Sequence, residues 1–213
     1  MHRLSIYEQY MAHTIYNLNT KQESAMSTTE TTTWTIDPMH AEAGFAVRHL
    51  MISTVRGRFG KIEGSVTVDE EHPTNSKVDV TIDVASIDTR QEMRDNHLRS
   101  PDFFDAANYP TMHFVSKRIE GDVSDHFRLF GNLTIRGTTR EVVLDVSHEG
   151  RGMDPWGNER AGFSATGKIN REQFGLTWNQ ALDTGGVVVG DEVKLSIDVE
   201  VVKQAAVPAG AAA

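Results

Sequence analysis

"KVDVTIDV" (77–84) alternates without a fault: Val78, Val80, Ile82 and Val84 fall on one side of an extended chain, and Asp79, Thr81 and Asp83 on the other. A period of two belongs to a β-strand, whose successive side chains point to opposite faces. One apolar and one polar face is the mark of an antiparallel sheet covering a core on one side only. The same pattern recurs outward from this stretch. In "VKLSIDVEV" (193–201), Val193, Leu195, Ile197, Val199 and Val201 oppose Lys194, Ser196, Asp198 and Glu200. "EVVLDVSHE" (141–149) aligns Val142, Leu144 and Val146, and "GFSATGKI" (162–169) aligns Phe163, Ala165, Gly167 and Ile169. Weaker alternation covers 41–49, 59–69, 111–119 and 126–136. Turn-forming residues punctuate the pattern at "EEHPTNS" (70–76), "RIEGDVSD" (118–125), "IRGTT" (135–139) and "GRGMDPWGNER" (150–160). The prediction is an all-β fold: an antiparallel, lipocalin-like barrel of about eight strands.

One segment breaks the rhythm. "TRQEMRDNHLRSPDFFDAANYP" (89–110) reads as a short helical crossover near 89–106. Thr89 followed by Glu92 has the spacing of a capping box. Ser100-Pro101-Asp102 has that of a second helix start. Phe103 and Phe104 then need an apolar surface, which makes the segment a cover for one end or flank of the barrel.

The chain has 213 residues with 21 basic and 30 acidic side chains, a net charge of −9. That balance argues against a nucleic-acid partner held through phosphates. There is no cysteine, so disulfides and thiolate metal sites are excluded. No run approaches the ~18 apolar residues of a membrane helix, and the first 25 residues lack the apolar core of a secretory signal. A cytoplasmic location is expected. Residues 1–33, ending in "MSTTETTT", read as disordered or as an upstream extension with Met26 an alternative start. The barrel domain then spans 34–204, and 205–213 ("AAVPAGAAA") is a disordered tail.

Enzymatic readings fare poorly. Asp95, His97, Asp102 and Asp105 are candidate metal or acid–base groups, but Asp95 and His97 diverge on a helix. No HExxH and no Gly-x-Ser-x-Gly supports them. A structural role for Arg94, Asp95, His97 and Asp102 is the better reading. His49 and His148 share the parity of the apolar faces; each is either a donor to a ligand head group or a histidine satisfied at a strand end. Trp34 is expected in the core.

The inward faces carry the functional argument. Ala165 and Gly167 are small residues between Phe163 and Ile169 and leave room at the axis. Phe45, Val47, Val80, Ile82, Phe114, Leu133, Leu144 and Ile197 would line it, with Phe103 from the crossover. On the residues alone, a packed core and an apolar lumen remain equally open.

Six motifs resolve that choice by resemblance: "WTIDPMHAEAGFAVRHL" (34–50), "TVRGRFGKIEGSV" (54–66), "IDTRQEMRDNHLRSPDFFDAANYPTMHF" (87–114), "FGNLTIRGTTREVVL" (130–144), "AGFSATGKINREQFGL" (161–176) and "VGDEVKLSIDVE" (189–200). Together they resemble the YceI-like family of lipocalin-like, polyisoprenoid-binding proteins. The resemblance implies a barrel whose apolar lumen binds, sequesters or carries a long isoprenoid or quinone-like lipid. The residues themselves lead to the expectation of no catalysis, no metal and no membrane span, with no cofactor beyond that lipid; the resemblance adds a homodimer. Many relatives carry a signal peptide, which this sequence does not show, and His40-Ala41 stands where the family often has His-Ser. An enzyme acting on a lipid head group, or a structural module with a filled barrel, are the competing readings.

Overall fold

The computed structural model describes residues 31–181 and 187–205; residues 1–30, 182–186 and 206–213, which include most of the expected tail, lie outside the described residues. Ten strands run in chain order: β1 (Thr31–His49), β2 (Ser53–Phe59), β3 (Ile62–Asp69), β4 (Lys77–Asp83), β5 (Ile87–Asp88), β6 (Thr111–Gly121), β7 (His126–Ile135), β8 (Thr138–Met153), β9 (Glu159–Asn170) and β10 (Val189–Lys203). A single α-helix among the described residues, α1 (Glu92–Arg99), follows β5. The sheet order is β10-β9-β8-β7-β6-β4-β3-β1, and β10 pairs back onto β1. That closure makes an eight-stranded antiparallel barrel, with β2 and β5 added beside the far half of β1. Closure removes the unpaired strand edges an open sheet would leave.

Strand β1 serves three neighbours. Residues 31–35 pair with β3, 43–49 pair with β2, and 34–36 and 41–49 pair with β10. Its register against β10 jumps between Ile36 and Ala41, so the inward set changes from Trp34 and Ile36 to Ala43, Phe45 and Val47. Pro38, with no N–H to donate, sits in that irregularity. Asp37 holds it in shape: one oxygen accepts the Met39 N–H at 3.0 Å, and the other accepts from Arg160 on β9 at 2.7 Å. Strand pairing also begins at Thr31, so the last three residues of the stretch read as disordered are part of the sheet.

The apolar faces point into the barrel as the alternation requires. On β6, β7 and β8 the inward residues Met112, Phe114, Ile119, Leu129, Ile135, Val142, Leu144 and Val146 are buried. Each contributes roughly 1.5–3 kcal/mol when fully removed from water. One end of the barrel is stoppered by Trp34 and Ile36, both buried, with the Arg151 guanidinium 4.8 Å from the Trp34 ring. The other end is crossed by the segment between β4 and β6.

That crossover differs from its expected form. Helix α1 is capped by Gln91, whose side-chain oxygen accepts the Arg94 N–H at 2.8 Å, and not by Thr89. Thr89 is buried and bonds Asp95 through both its N–H (2.9 Å) and its hydroxyl (2.5 Å). The left-handed Arg90 (φ 60°) turns the chain between the two, which separates Thr89 from the helix start. The second expected helix, at 101–106, is a series of turns: the Ser100 carbonyl accepts from Phe103 and Asp105, and Asp105 is itself left-handed (φ 52°). Arg99 ties the crossover down by donating to the carbonyls of Ala85 (3.0 Å) and Ile87 (2.7 Å).

Two hairpin turns place consecutive residues in the left-handed region. Between β7 and β8 these are Arg136 and Gly137. Between β1 and β2 they are Leu50 and Met51, with φ of 52° and 60°. Side chains crowd the backbone there, at a cost of about 1–2 kcal/mol per residue.

Candidate functional site

The barrel interior is built from two unlike walls. Along β6 and β8 most inward side chains are buried, and on β7 Leu129 and Ile135 join them while Phe127 and Leu133 are half-buried. Along β9, β10, β1, β3 and β4 most are only half-buried, although they point the same way: Phe163, Ala165, Ile169, Leu195, Ile197, Phe45, Val47, Val66, Val80 and Ile82. In a barrel filled by its own side chains, such positions would be sealed. Their residual exposure shows this wall to be less closely packed than the β8 side.

Register shows how the expected lining residues meet. Phe45 faces Leu195 across the β1–β10 pair, and Val47 faces Val193. Ala165 lies between Val146 on β8 and Ile197 on β10. Val80, Phe114 and Leu133 form a row across β4, β6 and β7, with Ile82 facing Met112 in the next row. Phe163 stands 5.1 Å from the His148 ring and 6.5 Å from Phe127. Apart from His148 the lining at these contacts is apolar, which suits a hydrocarbon chain better than a sugar or nucleotide.

Two expected lining residues are corrected. Gly167 does not leave room at the axis: a Cβ there would lie 2.8 Å from a Leu144 methyl, so Leu144 has already taken the space. Phe103 does not face the interior wall. It is buried in a cluster with His97 and Trp178, at ring distances of 5.1 and 5.3 Å, and its carbonyl accepts from Arg136 at 2.9 Å. Its neighbour Phe104 takes the interior position, half-buried and edge-on to Phe59, which in turn packs on Phe45 at 5.6 Å. Sequence reasoning missed Phe59 and gave the lining position to Phe103 instead of its neighbour Phe104; the period-two pattern of "RGRF" (56–59) was the available signal for Phe59.

The polar groups weighed for chemistry are engaged structurally. Asp95 is taken up by Thr89, Asp105 accepts from Asn108 at 3.0 Å, and His97 contacts Asp102 at 3.0 Å while its ring packs on Trp178. His148 reaches the Ser124 carbonyl at 3.3 Å. Arg171 was not anticipated. It is 3 % exposed and donates to the carbonyls of Leu176, Trp178, Gly190 and Val189, pinning the turn that carries buried Phe174 and Leu176. That turn abuts β8 where its pairing with β9 ends, at Leu144 and Gly167.

Displaced titrations occur on the outer surface. Asp37 is lowered from 3.8 to about 2, first by the Arg160 hydrogen bond and then by the Met39 N–H and His40. For Asp154, burial pushes upward, but donation from Arg160, Asn158 and the Trp156 N–H outweighs it and the net direction is down. Asp37, His40 and Glu200 lie close enough to bracket a cation. Arg160 already occupies the gap, bonding both Asp37 and Glu200.

Residues 34–201 match the family model described as the YceI-like domain. A UPF0312 protein of Staphylococcus epidermidis is 40% identical over 170 residues, covering 79% of this chain and 96% of the relative. The crystal structure of the Campylobacter jejuni YceI protein superposes with a TM-score of 0.64 at 35% identity, over 74% of this chain and 90% of that one. A polyisoprenoid binding domain from Saccharophagus degradans, implicated in plant cell wall breakdown, shares the fold with a TM-score of 0.58 at 13% identity, over 80% of this chain and 98% of its own. Motif order, closed barrel topology and these matches agree: the chain belongs to the YceI-like domain family.

Proposed function

We propose that this protein binds a long isoprenoid-type lipid, a polyprenyl or quinone-like chain, along the half-buried wall of its barrel, and sequesters or carries it without chemical change. The observation that carries this reading is the row of inward apolar side chains, Phe45, Val80, Phe163, Ala165 and Ile197 among them, that the barrel does not seal. Removing the apolar surface of such a chain from water drives binding at ~25 cal/mol per Å², offset by ordering the chain. The fold shared with a polyisoprenoid binding domain supports the same ligand class. Against an enzyme acting on the head group, the strongly displaced carboxylates Asp37 and Asp154 are bound to Arg160 on the outer surface rather than gathered at the lumen. Organic extraction of detergent-free protein followed by mass spectrometry tests the proposal. A stoichiometric long-chain lipid is expected. Protein that is empty and also refuses added polyprenols and long-chain lipids would sink it.

A further inference from the structure

We propose that the tip of the β1–β2 hairpin is a docking element for an anionic lipid bilayer. The inference rests on the lipid-carrier reading above and adds where the carrier meets its source. The turn is closed by the Ile52 N–H donating to the His49 carbonyl at 3.2 Å, with Leu50 and Met51 as its two left-handed residues. Glycine or asparagine suits such positions, and the comparable turn between β7 and β8 uses Gly137 in the second of them. Here two bulky apolar side chains stand in their place. Leu50 is half-buried, but Met51 and the following Ile52 are 54% and 80% exposed. A backbone conformation held against side-chain preference, for side chains left in water, points to a surface that covers them elsewhere.

Charge identifies that surface. On the outward face beside the tip, Ala46 is flanked by Arg56 on β2 and Lys194 on β10, with Arg48 two residues along β1. None of the three has a carboxylate partner among the described residues, in a chain whose net charge is −9; the Arg48 guanidinium is turned onto the tip itself, donating to the Met51 carbonyl and to the Thr54 hydroxyl at 3.4 Å. The acidic neighbours Glu42 and Glu192 are taken up by Arg58 and Lys168. Exposed apolar side chains at the tip, with the cations Arg56 and Lys194 behind them and free of carboxylate partners among the described residues, match the layering of a membrane interface: acyl boundary first, anionic head groups above it. The tip also adjoins the interior wall, because Val47 and Phe45 lead inward from it along β1. A bilayer contacting Met51 and Ile52 therefore lies next to the lining that would receive a lipid chain.

Flotation of the full chain tests this, using vesicles of phosphatidylcholine alone and of equimolar phosphatidylcholine and phosphatidylglycerol. The protein is expected to float with the anionic vesicles only, and less as salt is raised. Arg56→Glu and Lys194→Glu should each weaken flotation by about fivefold or more, and Met51→Asp with Ile52→Asp should abolish it. A variant with Leu50→Asn and Met51→Gly should melt higher than the parent yet float less, a pairing that a purely structural role for the tip does not give. Uptake of detergent-dispersed polyprenol by the double aspartate variant should equal the parent's. Parent protein that takes up polyprenol but ignores anionic vesicles overturns docking and leaves the carrier reading standing; protein that floats but takes up no polyprenol does the reverse. Flotation unaffected by the aspartates overturns docking, as does self-association through the tip in protein that does not bind vesicles.

Discussion

Phe59 on β2 and Phe104 in the crossover meet edge to face, with ring centroids 5.7 Å apart and planes at 89°. This contact joins the cover to the barrel wall, while Phe103 anchors the same turn on the other side through His97 and Trp178. The two adjacent phenylalanines therefore do different work. Phe103→Ala should cost ~3–5 kcal/mol, the range for a buried aromatic. Phe104→Ala, removing a half-buried ring, should cost less but loosen lipid retention. Thermal melting of both variants, beside extraction of bound lipid, checks the split. Two variants that melt like the parent would show the crossover undocked.

Ala165 and Gly167 sit two residues apart on β9 and should respond oppositely. A tryptophan at Ala165 points into the barrel between its cross-strand neighbours Val146 and half-buried Ile197. Delipidated Ala165→Trp should melt near the parent but take up much less lipid. Gly167→Ala meets the Leu144 methyl at 2.8 Å and the Val143 carbonyl at 3.1 Å, so it should destabilise by about 1–3 kcal/mol. Melting must be compared without lipid, because bound ligand raises apparent stability. Strong destabilisation by Ala165→Trp, in a barrel whose parent never takes up lipid, would mean a filled core.

Acid sensitivity follows from the Arg160 clamp. Asp37 titrates near 3.8 when unfolded and about 2 when folded. A depressed carboxylate stabilises the fold above its unfolded value, and that stability is lost as pH falls through the folded one. Asp37→Asn should therefore cost about 1–2 kcal/mol at neutral pH and flatten the acid limb of the stability profile between pH 3.8 and about 2. Denaturant midpoints across that window provide the measurement; parallel profiles for variant and parent would remove Asp37 as the source.

Arg171→Leu strips the donors from several carbonyls at once. Breaking a buried charged network from one side costs ~3–5 kcal/mol, and the turn bearing Phe174 and Leu176 should open first. Hydrogen exchange at 171–178 rising well above the parent's would show it, with the outer strands unchanged.

The strands were legible because β-branched residues at period two leave little else to form: β4, β8, β9 and β10 follow their alternation. Strand β1 was legible at its start, where Trp34 is expected and found in the core, and again from 41; the irregularity at Asp37–His40 shifts parity between the two stretches. The stretch 59–69 reads as one strand, whereas Phe59 ends β2 and Ile62 begins β3, which pair with different neighbours. Residue direction in the crossover was beyond pattern reading. Whether Phe103 or Phe104 faces the interior depends on turns set by carbonyls and a left-handed Asp105, with no period to read. Gly167 was misread for a related reason: parity gives the side a residue faces, not which neighbour leans across it.

The pairing of β1 with β10 sets the order in which this molecule becomes itself. Trp34 meets Lys203, so the first and last strands of the barrel are partners. Every other barrel strand finds a neighbour close by in sequence or across a single crossover, but this seam waits for the whole chain. Contacts so distant along the chain slow folding, because closure entropy must be met before they contribute. Until Val189–Lys203 emerges from synthesis, β1 and β9 are the edges of an open sheet, with rows of unsatisfied N–H and C=O groups and an apolar face turned to water. Aggregation, chaperone capture and mispairing between copies all act in that interval. A chain cut short before β10 is not a smaller barrel; it is an unclosed one.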